Sequence, residues 1–280
     1  MAVEVEPALL EAFRTHDERL RGVSWSVSVL DVESGGVLLE HEPERVQRTA
    51  SIGKLFLLVE VARQAAAGLL DLDEPVERRP DEFVADSGVW YRLRADALSI
   101  HDACALIGAV SDNLATNVLV RRIGLDAIGQ TTRELGITRS ALLDRVREER
   151  GPEHPPTLSR GCAGELADLA RRLERGEIVS PEVSRTVVDW LALDTDLSMV
   201  SAAFGLDPLA HTEVDRGIRL WNKTGTISSA RIDVGVASAS QRGIAWAVLA
   251  DWERAPGDPR DAVLERMRSL GERIRALLEA

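Results

Sequence analysis

Ser24-Trp25-Ser26-Val27-Ser28-Val29 alternates polar and apolar side chains with a period of two. Successive side chains of an extended chain point to opposite faces, so this stretch predicts a half-buried strand. Ser34-Gly35-Gly36 then supplies a turn, and Val37-Leu38-Leu39 starts a returning strand, completing a hairpin. Upstream, residues 5–20 place Leu9, Leu10, Phe13 and Leu20 on or near one helical face. Downstream, residues 51–69 repeat Leu55, Leu58, Val59 and Ala62 at helical spacing. The middle of the chain is mostly helical in pattern, with helices predicted over 100–109, 112–122, 125–135 and 163–175. The charged, proline-bearing run at 145–160 interrupts them as a loop. β character returns where Ile232, Val234 and Val236 alternate with Asp233, Gly235 and Ala237, and again over Ile244–Leu249. A last amphipathic helix covers about 258–278, striped by Val263, Met267, Leu270, Ile274 and Leu277.

This order predicts an α/β (α+β) fold. The first and last segments pair into one antiparallel sheet flanked by the terminal helices, and the middle forms an all-helical lobe. The expected division within a single domain is a sheet lobe of about 1–50 and 216–280 and a helical lobe of about 51–215. A ligand cleft is expected between them.

Bulk properties narrow the function classes. The 280 residues carry a formal charge of −12, from 46 acidic and 34 basic side chains, and such a field repels phosphate backbones. Nucleic acid is not an expected partner. No apolar run approaches the ~20 residues that span a bilayer, so no membrane partner is expected. The opening MAVEVEPALLEAF has neither a basic start nor a long apolar stretch, which predicts a cytoplasmic protein. The two cysteines, Cys104 and Cys162, form no C-x-x-C pair, and the five histidines are scattered. No metal and no other cofactor is therefore expected, and both thiols are read as reduced and buried.

Three short motifs carry chemistry. Ser51-Ile52-Gly53-Lys54 is an S-x-x-K at a helix start. Positions i and i+3 share a face, so the Lys54 amine can reach the Ser51 hydroxyl, a weak nucleophile that needs a base. Lys54 can serve as that base only if burial or nearby positive charge lowers its pKa. The Ser51 N–H, at a helix N-terminus, could hold an oxyanion. Ser111-Asp112-Asn113 follows one apolar helix and starts another. Ser111 can relay a proton toward a leaving group, Asn113 can donate to a substrate carbonyl and contact Lys54, and Asp112 reads as structural. Lys223-Thr224-Gly225, with Thr226 next, sits where an edge strand should begin. Lys223 and Thr224 suit a substrate carboxylate, Gly225 allows close approach to the backbone, and the Thr226 N–H could be a second oxyanion donor. Each motif also has an ordinary reading: a helix cap with a surface lysine, a Ser-Asp-Asn N-cap, and a turn at a strand edge.

Together and in this order, the motifs resemble those of the class A β-lactamase family, and more closely its non-secreted relatives among the penicillin-recognising serine enzymes. The resemblance runs from the 25–40 hairpin to the final helix. Its clearest stretches are Thr49-Ala50-Ser51-Ile52-Gly53-Lys54 and Ala109-Val110-Ser111-Asp112-Asn113-Leu114-Ala115-Thr116-Asn117. It implies acyl transfer on an amide, lactam or ester, with Ser51 as nucleophile and Lys54 as base or proton shuttle. Ser111 would be the relay and Asn113 a substrate ligand, while Lys223 and Thr224 would bind carboxylate, assisted by Arg231. The partner implied is a small, carboxylate-bearing substrate, and the family's habit is monomeric. Trp90 and Tyr91 fall where the family has a cleft wall, although a buried Trp fits equally well; His101 and His211 show no partner.

The sequence departs from the family pattern at two places. Secreted members often carry a disulfide whose positions here are Leu58 and Cys104, so that bridge cannot form. The deacylating glutamate sits in an R-x-E-x-x-L-N pattern. Aligning Leu143-Asp144-Arg145 with the family's Leu-Asp-Arg puts Arg147 in the glutamate's place. Arg147-Glu148-Glu149 offers another register and Glu153 lies beyond it, yet neither Glu149 nor Glu153 is followed by Leu-Asn at the right distance. The sequence therefore predicts slow water attack on an acyl-enzyme. That leaves a weak β-lactamase, or a catalytically idle ligand binder, as alternatives to an efficient hydrolase.

Overall fold

The computed structural model describes residues 6–14, 16–212, 214–239, 242–254 and 257–279; Met1–Val5, which open the stretch MAVEVEPALLEAF, lie outside them. The chain begins with helix α1 (Pro7–Arg14), then strands β1 (Ser24–Asp31), β2 (Val37–His41) and β3 (Gln47–Arg48). Helix α2 (Lys54–Ala66), strands β4 (Pro75–Glu77) and β5 (Ala97–Ser99), and helices α3 (Ile100–Val110), α4 (Asn113–Ile123) and α5 (Leu125–Glu134) follow. Strands β6 (Ala141–Leu142) and β7 (Ser159–Gly161) precede helices α6 (Ala163–Glu174) and α7 (Pro181–Leu191). Strands β8 (Ile218–Ile227), β9 (Ala230–Ala239) and β10 (Arg242–Asp251) and helix α8 (Arg260–Glu279) complete the chain.

Strands β2-β1-β10-β9-β8 form one antiparallel sheet, as the sequence predicts for the two ends of the chain. Strand β8, which carries Lys223-Thr224-Gly225, is an edge, with Lys223 opposite Val234 and Thr226 opposite Arg231. Four short strands, β4 to β7, punctuate the helical lobe. Among the described residues, no helix is long and apolar enough to cross a membrane.

The predicted helix over 5–20 is shorter. Helix α1 ends at Arg14, and a separate 3-10 turn, Glu18–Leu20, starts at Asp17, whose carboxylate accepts from the Arg19 N–H at 3.0 Å. Strand β1 is buried on both faces rather than one. Val27 and Val29 pack in a core with α1 and α8 residues such as Leu9, Val263 and Met267. On the other face Ser26 and Ser28 are 0% and 1% exposed, because α6 packs there. The Ser26 hydroxyl donates to Glu42 O at 3.0 Å and accepts from the Ala163 N–H at 3.1 Å, at the start of α6. Small hydroxyls give the alternation of a solvent face while permitting close helix packing.

Helix α8 packs tightly against the turn Val200–Phe204, and Gly271 permits this. A Cβ there would lie 2.2 Å from the Val200 carbonyl. Gly271→Ala is expected to destabilise the protein by about 1–3 kcal/mol through overpacking. Urea denaturation checks this; an unchanged midpoint would contradict the packing described.

Candidate active site

Edge strand β8 meets the turn before α2, the α3–α4 junction, the 144–157 loop and the segment after α7. Between them lies a cavity of about 830 Å³. Ser51, Ser111, Asn113, Thr224 and Thr226 line it, while Lys54 and Lys223 are fully buried at its back. The structure thus brings segments some sixty and more than a hundred residues apart into one site. Gly225 and Arg231 do not line the cavity.

Ser51 stands on a 3-10 turn, Ala50–Gly53, and α2 begins only at Lys54. Side chains at i and i+3 eclipse in a 3-10 turn, so Ser51 and Lys54 still share a side. Ala50 has φ +47°, a left-handed conformation costing a non-glycine residue roughly 1–2 kcal/mol. The surroundings hold it there. The Thr49 hydroxyl donates to Ser159 Oγ at 2.7 Å, and Ser159 Oγ donates to Ala50 O at 2.6 Å. A Cβ on Gly225 would lie 2.4 Å from Thr49 O. The open face expected at Gly225 is therefore filled by the serine turn, not by a ligand.

Lys54 Nζ donates to Ser111 O at 2.6 Å and Asn113 Oδ1 at 2.8 Å, and lies 3.1 Å from Ser111 Oγ. Burial, and then the charge of Lys223, hold its pKa well below the ordinary lysine value, with Asp112 and Asp86 opposing. The three contacts also fit a neutral amine, which donates to the two carbonyl oxygens and accepts from the Ser111 hydroxyl. A base must be deprotonated to act, so acylation is expected to rise with pH through a pKa below 10.5. Lys223→Met should move that limb to higher pH by removing a positive neighbour. A limb unmoved in the variant, measured in a rate profile, would contradict this coupling.

Ser111 caps α3 in a left-handed conformation, φ 54° and ψ 41°. Asp112 is structural, as read. Its Oδ1 accepts from the Ala115 N–H at 2.9 Å, capping α4, and its Oδ2 accepts from the Val89 and Trp90 N–H groups at 2.7 and 2.8 Å. Asp112→Ala would remove the acceptor of three backbone donors, those of Trp90 and Ala115 in buried contacts, and is expected to cost about 3 kcal/mol, read in thermal or urea unfolding. Trp90 is buried and donates from Nε1 to Ala95 O at 2.9 Å, so it is core and not a cleft wall. Asn113 Nδ2 donates to Ala85 O at 3.2 Å. His101 and His211 lie away from the cavity lining.

The 144–157 loop presents Arg147, Glu148 and Arg150 to the cavity, but neither Glu149 nor Glu153. Both of those glutamates are exposed, and Glu153 pairs with His154 Nε2 at 3.2 Å. Asn117 clamps the loop by accepting from the Val146 N–H at 2.8 Å and donating to Val146 O at 3.0 Å. Arg147 Nε and Arg150 Nη1 both bond Asp144 Oδ2, at 2.7 and 2.6 Å. Burial raises the Asp144 pKa, but hydrogen bonds from these two arginines outweigh it, so the carboxyl lies below its usual range.

Lys223 Nζ donates to Thr224 O at 3.0 Å. Arg231 is buried in the β8–β9 turn, where Nη1 donates to Ile227 O at 2.6 Å and Ala230 O at 2.7 Å. It braces the turn that carries Thr226 and Ile227 rather than reaching into the cleft. No sequence motif marks Asp194, Thr195 and Asp196, yet the chain after α7 puts all three on the wall of the cavity, which Asp86 and Glu148 also line. Burial pushes Asp194 up to about 7, with Lys223 opposing.

A sequence model described as the beta-lactamase enzyme family matches residues 10–276. The beta-lactamase of Sphaerobacter thermophilus is similar in structure, with 22% identity, TM-score 0.79, and 94% of this chain and 95% of that chain covered. A beta lactamase of Xanthomonas campestris pv. campestris shares 20% identity with TM-score 0.79 over 100% of both chains. PBP-A, a mutant of which was solved as an acyl-enzyme complex with penicillin G, shares 20% identity with TM-score 0.80, covering 100% of this chain and 99% of its own.

Proposed function

The chain belongs to the beta-lactamase enzyme family, and on that premise we propose that it is a serine hydrolase that cleaves an amide, lactam or ester through an acyl-enzyme on Ser51. One observation carries the reading: Ser51 lines the cavity beside which Lys54 is buried, its pKa held well below the ordinary lysine value, and bonded to Ser111 and Asn113. Ser51 Oγ attacks the substrate carbonyl and its proton passes to Lys54. The Ser51 and Thr226 N–H groups receive the oxyanion. Ser111 hands the proton to the leaving group as the bond breaks. Thr224, with the charge of Lys223 behind it, meets a carboxylate on a small-molecule substrate.

Deacylation is the slow half. An arginine stays protonated above pH 12, so Arg147 cannot take a proton from water. Its guanidinium is moreover committed to Asp144. The reading is therefore a hydrolase that acylates readily and turns over slowly. A nitrophenyl ester followed in a stopped-flow instrument should give a burst of about one product per enzyme before a slow steady phase. Release at the background rate, with no burst, would sink it.

A further inference from the structure

The charged side chains lining the cleft are unevenly partnered. Its three arginines are already paired: Arg48 with Asp251 at 2.9 Å, and Arg147 and Arg150 with Asp144 at 2.7 and 2.6 Å. Its four carboxylates, Asp86, Glu148, Asp194 and Asp196, have no ion-pair partner among the described residues. Glu148 accepts from the Ala85 N–H at 3.1 Å. Asp194 is 1% exposed, and its Oδ2 has no hydrogen-bond partner. Asp196, half-buried just beyond it, accepts through Oδ1 from the Ser198 N–H at 3.2 Å and hydroxyl at 2.6 Å. Asn222 donates to Asp196 O at 3.3 Å and lies two positions before Thr224 on β8, which places Asp196 at the Thr224 end of the cleft.

An unpaired carboxylate with a buried oxygen is costly to hold, and the cost falls if a counter-charge arrives with the ligand. We propose that the substrate carries a cationic group, an ammonium or amidinium, which docks on Asp196 with Asp194 behind it, next to the Thr224 that meets the carboxylate. This deepens the acyl-transfer reading and rests on it only for the ligand being the substrate. The site then selects zwitterionic molecules.

The test uses N-methanesulfonyl derivatives of 1,3-diaminopropane, 3-aminopropanol and β-alanine, which offer Ser51 no amide or ester carbonyl and end in an ammonium, a hydroxyl and a carboxylate. Calorimetric titration of the full chain should show the ammonium ligand binding about tenfold tighter than the hydroxyl ligand, as a charge-assisted hydrogen bond allows. Asp196→Asn, which keeps an acceptor for Ser198, should bring the two within about twofold. Failure of the ammonium ligand to bind more tightly than the hydroxyl ligand would overturn the proposal, as would a preference that survives Asp196→Asn. Absent acylation with selective binding intact would instead remove the serine reading and leave the cation site standing.

Discussion

Replacing Lys54 with arginine is expected to slow acylation of Ser51 by about 10²–10⁴-fold, the range lost when a positioned general base is removed. Arginine keeps donors for Ser111 O and Asn113 Oδ1, the two shortest contacts of Lys54. It cannot surrender its proton near neutral pH. The choice of arginine separates chemistry from folding, because Lys54→Met would also orphan two buried acceptors at the junction of α2, α3 and α4. The measurement is the single-turnover rate with a chromogenic β-lactam or ester, alongside the melting temperature. A folded variant with an undiminished rate would remove Lys54 from the proton path.

The second large effect concerns the other half-reaction. Arg147→Glu is expected to shorten the lifetime of the Ser51 adduct by about 10²–10³-fold by adding a second carboxylate to the loop wall, where the Glu148 carboxylate is engaged by the Ala85 N–H at 3.1 Å. The loop should tolerate the change. Asp144 keeps Arg150 and the Arg145 N–H, at 2.6 and 2.8 Å, and Asn117 still clamps Val146. Glu149→Gln and Glu153→Gln should leave the lifetime unchanged, since neither side chain lines the cavity. An adduct equally long-lived in Arg147→Glu would mean that water is excluded by something other than the missing base.

The sequence made much of this site legible because its chemistry is written in short local patterns. Ser51 and Lys54 lie one turn apart, and Ser111 and Asn113 flank a capping aspartate, so neighbours in sequence are neighbours in space. The hairpin of β1 and β2 and the alternation in β9 were readable for the same reason. Directions set by tertiary packing were not. Ser26 and Ser28 look like a solvent face, and only α6 lying over them makes it a buried one. Arg231 occupies a position from which a side chain could enter the cleft, but it is held by the carbonyls of Ile227 and Ala230. Gly225 signals close approach without saying what approaches, and the answer is Thr49. Asp194 and Asp196 belong to no motif, and their place in the site follows from the path of the chain after α7.

The central claim is a covalent bond to one hydroxyl. After incubation with benzylpenicillin or an acylating ester, intact-mass measurement and peptide mapping should find a single acyl group on the peptide holding Ser51. The same treatment of Ser51→Ala should leave the mass unchanged. An unmodified wild-type chain, or an acyl group mapped to a different residue, would contradict the account.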